Sequence, residues 1–480
     1  MRILSVGTPL RRPALMAIVV AAVAAATIAG PGQASDLQPE TIDAFLRKTV
    51  EAYRIPGLAV AVVDDRTVLL LSAYGGATPA GRITANTPFL LGSTTKAFTA
   101  LAVMRLVERG QVELDAPVAR YLPEFRVATP GAEKSITIRH LLNHTSGLSD
   151  EGMPFTSAGG TSLADELVLL RQCRPKAAPG RTFAYFNGNY RILGLVIERV
   201  SGATYGDFLA AEIFRPLGMT ASAAGAVVLD RIPVGHGEIF GVPFARKQEY
   251  RPGALPSGYV ASSAADLARF LMAELRAGGG APGALSPETV RATWQPPGNR
   301  DEGYAMGWLV RARPGRPSLL AHGGSLESYQ SFLCVDPQRK VAFAFLMNQG
   351  GFLPSVRAFS TLRDGLVGIM DGEQPDPGPG VWPVILVAAC FLLTAAVEVS
   401  LTVRLKSWAA GMIHTRGWRR WVGLALELAV SCALAVVLYR SWTMALNLLP
   451  ELFLLLWIMI VFGVLRSAAK AWILATRRPS

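Results

Sequence analysis

The stretch Phe89-Leu-Leu-Gly-Ser-Thr-Thr-Lys-Ala-Phe-Thr-Ala100 constrains this chain more than any other. Apolar residues lead into a Gly92-Ser93 step, and an apolar helical pattern follows through Leu101, Met104, Leu106 and Val107. If Ser93 opens that helix, Lys96 lies one turn on and the two side chains share a face. A serine hydroxyl is a weak nucleophile until a nearby base takes its proton, and a lysine does so once burial and neighbours lower its pKa. The tetrapeptide alone decides little. Ser467-Ala-Ala-Lys470 repeats it in a basic C-terminal segment, and a surface helix carries such pairs incidentally. What gives Ser93 weight is its company elsewhere in the chain.

At 480 residues the chain has room for one large domain or two or three ordinary ones. A mean hydropathy of +0.32 is apolar for a soluble enzyme, and the excess sits at the two ends. The formal charge of +12 is likewise local: residues 381–480 carry +7 and residues 1–34 carry +3, leaving +2 between them. No polybasic stripe points to nucleic acid, and none is expected as a partner. Four cysteines are too few for a disulfide scaffold. Cys390 and Cys432 lie in apolar segments, and Cys173 and Cys334 are expected as unpaired thiols.

The N-terminus reads as an export signal over residues 1–34. Arg11 and Arg12 precede an apolar run from Ala14 to Gly30, and Gly32 and Ala34 suit cleavage after Ala34. An uncleaved anchor is the alternative. Ile42–Tyr53 has the pattern of an amphipathic helix, ended by Pro56-Gly57. Leu58–Val63 then reads as a buried strand, turned at Asp64-Asp65 into Val68–Ser72. Ile136–Leu148 carries a short helix stopped by Gly147. Its His140 and His144 have the i, i+4 spacing of a metal pair, but Leu141 and Leu142 follow where a zinc-peptidase helix has Glu. No third ligand follows by pattern, so both are read as structural and no metal or other cofactor is expected. Tyr185 and Asn187 precede a helix over Tyr190–Val200, on a loop of the kind that carries function. Another helix, Ala264–Leu275, is opened by Ser262-Ser263. Phe332–Val335 and Val341–Met347 flank Asp336-Pro337 as a hairpin.

Beyond a linker of turn residues at 371–380, three apolar stretches (about 381–403, 421–439 and 448–465) are each long enough for a bilayer core of roughly 30 Å. The basic connections imply that residues 35–370 face outward. Multi-pass membrane localisation, a lipid partner and room for a protein partner of the spans follow from that reading.

Three patterns occur in order: Ser93-Thr-Thr-Lys96, Tyr185-Phe-Asn187 and His322-Gly323-Gly324. Together with Ile138-Arg-His-Leu-Leu-Asn-His-Thr-Ser-Gly-Leu148 and the phrase Pro179–Gly194, they make residues 40–360 resemble the serine hydrolases related to class C β-lactamases, DD-peptidases and penicillin-binding proteins. The resemblance implies an α+β fold. An antiparallel sheet is flanked by helices, a mainly helical lobe lies beside it, and the three expected transmembrane helices come after. By position, Ser93 matches the nucleophile, Lys96 its activating partner and Tyr185 a second acid/base group whose pKa nearby cations must lower. Asn187 matches a side chain that binds Lys96 or the substrate amide. His322, Gly323 and Gly324 match the substrate-binding strand, and the backbone N–H groups of Ser93 and Ser325 match the oxyanion hole. Many β-lactamases have Lys where this chain has His322, whose charge is conditional. The implied activity is acyl transfer on an amide, β-lactam-like or ester substrate, with D-amino-acid peptides or cell-wall fragments as the lead class. An esterase with the same residues and a catalytically silent ligand-binding sensor are the alternatives. No Gly-x-Ser-x-Gly elbow supports an α/β-hydrolase.

Overall fold

A computed structural model describes residues 37–78, 81–149, 162–239, 241–298, 300–350, 354–403 and 450–476, with the single positions 425 and 429. The expected export signal and, apart from those two positions, the stretch 421–439 lie outside these residues. The chain divides into two units, the larger comprising residues up to Glu51, Ile55–Gly237 and Pro243–Pro377.

In chain order the principal elements of the larger unit begin with helix α1 (Pro39–Tyr53) and strands β1 (Gly57–Asp64) and β2 (Val68–Gly75). Helices α2 (Thr95–Glu108), α3 (Ile138–Leu142), α4 (Leu163–Leu170), α5 (Asn187–Ser201), α6 (Ala264–Gly278) and α7 (Pro287–Trp294) follow. Strands β3 (Gly303–Ala305), β4 (Trp308–Arg313), β5 (Arg316–Ser325), β6 (Gln330–Asp336) and β7 (Val341–Met347) come next, then helix α8 (Pro354–Met370). The seven strands form one antiparallel sheet in the order β3-β4-β5-β6-β7-β1-β2.

The unbroken apolar run Leu58–Val63 accounts for the position of β1, since a strand of that composition needs cover on both faces. It pairs with β7 on one side, Val60 opposite Phe345, and with β2 on the other. One face of the sheet packs on α6, through Ala59, Ala61, Ala342 and Ala344. The other carries Phe332 and Phe345, whose ring centres lie 5.7 and 5.3 Å from that of Phe359 on α8. Helix α1 reaches α8 closely, because a Cβ on Gly365 would stand 2.1 Å from the Phe45 ring. Helix α2, buried along almost its whole length, lies between the sheet and the helices α5 and α7. The hairpins at both ends of the domain and the helical middle agree with the α+β expectation. Cys173 and Cys334 are both buried and not bridged to each other, and Cys173 Sγ donates to the Ser149 carbonyl at 3.2 Å.

The expected membrane spans are overturned. The second unit contains α9 (Trp382–Val403) and α10 (Pro450–Thr476), which pack on each other, but among the described residues no helix is long and apolar enough to cross a membrane. Both helices carry charged positions in their sequences, and charge is costly in hydrocarbon. Glu398 sits inside α9, and α10 opens with Glu451 and runs on through Arg466 and Lys470.

Helix α6 carries a buried acid. Ser263 caps it by accepting from Asp266 N–H, and Glu274 near its end is 2% exposed, with the Trp294 indole donating to it at 2.9 Å. Burial pushes the Glu274 carboxyl up to about 8. Between about pH 4.5 and 8 the folded state therefore holds a proton the unfolded state has lost, and stability falls as pH rises through that window. Glu274→Gln keeps the acceptor for Trp294 and removes the titration. Thermal melts should show the variant more stable than wild type at pH 8.5, by up to a few kcal/mol, with the gap closing at pH 5. An equal gap at both values would refute a buried, protonated Glu274.

Candidate active site

Ser93 is presented by one tight turn, Gly92–Thr94, at the head of α2. Gly92 has a φ of +55°, and a Cβ there would stand 2.6 Å from Ser325 N. Gly324 meets it from the strand side, where a Cβ would fall 1.9 Å from the Leu91 oxygen. Only glycine satisfies both demands. Their absent side chains let the Ser93 backbone press against the end of β5, next to Ser325. Thr94 Oγ1 and Ser331 Oγ, 2.8 Å apart, both donate to the Leu91 carbonyl, at 2.9 and 2.5 Å, and tie the turn to β6.

Lys96 is fully buried. Its Nζ lies 3.1 Å from Ser93 Oγ, 2.8 Å from Asn187 Oδ1 and 2.8 Å from the Ser257 carbonyl oxygen. Burial first, and the Arg191 cation second, hold the amine well below the ordinary lysine value. A neutral amine has two N–H groups and one lone pair. The Ser257 carbonyl can only accept and Asn187 presents its oxygen, so both N–H groups are spent there. The lone pair is left for the Ser93 hydroxyl. Asn187 is the first residue of α5, which explains its fixed direction, and Arg191 lies one turn on, paired with buried Glu166 at 2.9 Å.

Tyr185 stands beside this pair, its hydroxyl hydrogen-bonded to Ser93 and its ring face 4.9 Å from Lys96 Nζ. The residue is 40% exposed, but its hydroxyl is the desolvated end, and burial pushes the phenol up to about 12. The expectation that neighbouring cations lower this phenol is therefore reversed. The nearest amine, Lys96 Nζ, lies over the ring face and not at the phenol oxygen.

The loop that carries Tyr185 is held by His144, a buried residue with a φ of +53°. Its carbonyl accepts from Ala184 N–H at 2.8 Å and its Nδ1 from Phe186 N–H at 3.1 Å, so both chain neighbours of Tyr185 are gripped by one residue. The two rings lie 4.3 Å apart. His140, its helical-spacing partner, does something else: its Nδ1 accepts from Thr137 N–H at the start of α3.

His322 is buried on β5, with Tyr304 and the Gly323 carbonyl as partners. A carbonyl only accepts, so Nδ1 (2.9 Å) carries the proton and Nε2 (3.1 Å) accepts from the Tyr304 hydroxyl. Burial and Lys96 push its pKa down to about 3. The conditional charge expected of His322 is thus absent at neutral pH, and neither ring nitrogen is left for a ligand.

Two clefts meet at Ser93. One, of about 550 Å³, is lined by Asn187, Arg191, Arg246, Arg251, Tyr259 and Glu327 among others. The second, of about 480 Å³, runs along β5 past Tyr185, His322, Gly323 and Gly324, with Phe332, Phe359, Arg311 and Arg363 around it. Ser93, Lys96, Tyr185, Asn187, His322, Gly323, Gly324 and Ser325 therefore gather at one place.

A family model described as Beta-lactamase matches residues 42–363. The chain belongs to the beta-lactamase family. Members of this family are serine hydrolases, and the ordered motifs agree with that membership. The chain is 24% identical to Protein flp of Staphylococcus aureus over 436 residues, 86% of each chain. It is 30% identical over 337 residues to Penicillin-binding protein 4 of Amycolatopsis lactamdurans, covering 67% of this chain and 87% of that one. Among solved structures, the octameric penicillin-binding protein homologue from Pyrococcus abyssi superposes with a TM-score of 0.59 at 25% identity, covering 70% of this chain and 78% of that one.

Sequence reasoning missed the Ser257 carbonyl and the grip of His144. The first has no side-chain signature at all. The second is visible only once the loop at 184–186 folds back on α3.

A lysine held neutral has a thermodynamic signature. Its folded-state pKa is depressed, so the unfolded state binds the extra proton below about pH 10.5, and the folded protein gains stability as pH rises toward that value. Lys96→Met removes this linkage. In denaturant titrations from pH 6.5 to 9.5, wild type should gain on the variant by about 1.4 kcal/mol per pH unit wherever the two lysine pKa values bracket the pH. Parallel stability curves would mean that Lys96 is charged when folded.

Proposed function

We propose that this protein is an exported serine hydrolase that forms an acyl-enzyme at Ser93 on amide or ester substrates. The observation that carries the reading is the fully buried Lys96 amine, whose Nζ lies 3.1 Å from Ser93 Oγ and 2.8 Å from both Asn187 Oδ1 and the Ser257 carbonyl oxygen. In the proposed reaction Lys96 accepts the Ser93 proton as Oγ attacks the substrate carbonyl. The backbone N–H groups of Ser93 and Ser325 receive the developing oxyanion, and one such donor is typically worth about 2.7–4 kcal/mol. Tyr185, a neutral phenol, gives its proton to the leaving group and takes back the proton held by Lys96. The C–O bond of the acyl-enzyme forms as the bond to the leaving group breaks. Water, deprotonated by the same pair, then releases the acid.

D-amino-acid peptides and cell-wall fragments are the amide substrates proposed first, supported by a relative named for binding penicillin. The esterase reading has its own support: His322 is neutral and both its nitrogens are engaged, so it offers no fixed charge to a substrate carboxylate. Export rests on the sequence of residues 1–34.

Intact-mass measurement of the full chain after fluorophosphonate treatment should show one phosphonyl adduct, absent in Ser93→Ala. Lys96→Ala should slow labelling by about 10²–10⁴-fold. Wild-type labelling should fall as acid protonates Lys96, with no inflection from His322 near pH 6.5. A penicillin adduct on Ser93 would favour the peptidase class, and fluorophosphonate labelling alone would favour esters. A folded protein that neither reagent labels would overturn the acyl-enzyme reading.

A further inference from the structure

The division of the site into two clefts assigns the two halves of a substrate. This inference rests on the acyl-enzyme reading above. Tyr185, the group that protonates the leaving group there, lines the β5 cleft and not the other. The leaving group therefore occupies the β5 cleft, and the acyl group extends into the cleft of Arg191, Arg246 and Arg251.

Among the residues lining that second cleft, three arginines stand with one glutamate. Arg191 is committed to Glu166 at 2.9 Å. Arg251 is committed to Glu327 at 2.9 Å and to Glu249 at 3.3 Å, while Glu327 also accepts from Gln248 Nε2 at 2.6 Å. Glu327 is the one carboxylate among the cleft's lining residues, and both its oxygens are thus in use. Arg246 contributes to the field at Glu327 but forms no ion pair or side-chain hydrogen bond among the described residues. Its side chain is exposed on the cleft wall, and its backbone is pinned. The Arg246 N–H donates to the Gly235 carbonyl at 2.8 Å, and its carbonyl accepts from Ser328 Oγ at 3.2 Å. An exposed, unpaired guanidinium beside one acid whose oxygens are both in use is complementary to an anion.

We propose that the Arg246 cleft is an acyl-side subsite for a carboxylate, and that Arg246 is the specificity-determining residue within it. The preferred substrate carries a negative charge on the acyl portion, several bonds from the scissile carbonyl.

Two p-nitrophenyl esters with the same leaving group test this, one of butyric acid and one of glutaric acid with its second carboxylate free. Because the leaving group is constant, the β5 cleft contributes equally to both. Wild type should favour the glutarate ester by about tenfold in kcat/KM, chiefly through KM, as a charged hydrogen bond would give. The preference should shrink as salt is raised. Arg246→Ala should abolish it while leaving butyrate turnover within about twofold. Arg246→Glu should reverse it. Arg311→Ala, in the other cleft, should leave the ratio unchanged. Butyrate turnover with no glutarate preference in wild type would overturn the subsite and leave the hydrolase reading standing. A preference that survives Arg246→Ala would overturn the role of Arg246. Turnover of neither ester, with no fluorophosphonate adduct, would overturn the hydrolase reading and the subsite with it.

Discussion

Burial of the Lys96 amine is the constraint on which the rest of the site depends. An ammonium ion taken fully out of water without a carboxylate partner is costly, so the amine's pKa falls well below the ordinary lysine value. Its hydrogen-bonding partners fit that choice. All are oxygens, none of them ionised: a backbone carbonyl, an amide oxygen and a hydroxyl. A carboxylate at any of these positions would restore the charge and remove the base. The one strong ion nearby is of the same sign, Arg191, and it is kept from Lys96 by its own pairing with Glu166. Reactivity at Ser93 is in this sense a consequence of packing, since α2 is buried along almost its whole length between the sheet and the helices beside it.

The backbone geometry obeys a second, steric constraint. The Ser93 turn and the end of β5 come so close that neither Gly92 nor Gly324 has room for a methyl group. Two hydroxyls, of Thr94 and Ser331, converge on a single carbonyl to hold that approach. Strand β5 is an interior strand, paired to β4 and β6, so its end is a rigid support for whatever lies beside it. Loop residues contribute chemistry only where something equally firm holds them, and His144 does this for Tyr185 by binding the amide on either side.

Much of this was legible in the chain, for identifiable reasons. Ser93 and Lys96 are linked by helical spacing, and the buried strand Leu58–Val63 and the 332–347 hairpin are linked by composition and a turn. Such local rules need no tertiary knowledge. Asn187 and His322 became legible only through resemblance, because their meaning depends on distances across more than ninety residues of chain. What stayed hidden was protonation. Sequence places a histidine at 322 and a phenol at 185, but burial and the Tyr304–Gly323 partners make the first a neutral, occupied ring, and desolvation makes the second a reluctant acid. The C-terminal apolar stretches failed for the opposite reason. Apolar length was visible in the sequence, but no helix among the described residues is long and apolar enough to cross a membrane.

These protonation states separate chemistry from recognition. Tyr185 and His322 are neutral near pH 7, and burial holds the Lys96 amine well below the ordinary lysine value, so the reacting centre disfavours charge. The charges stand in the walls of the two clefts, as arginines, where water screens them. A neutral centre changes its charge only as the reaction proceeds, when Lys96 takes a proton and an oxyanion appears opposite it. Attraction between those two new charges exists in the transition state and not before it, which is the condition for lowering a barrier and not merely binding a substrate. A site that began with a fixed ammonium at Lys96 would lack the base. One that began with an imidazolium at His322 would place a further positive charge beside the amine that must accept a proton. The burial that keeps His322 from charging therefore protects the basicity of Lys96, and selectivity for charged substrates is left to residues farther from the reacting atoms.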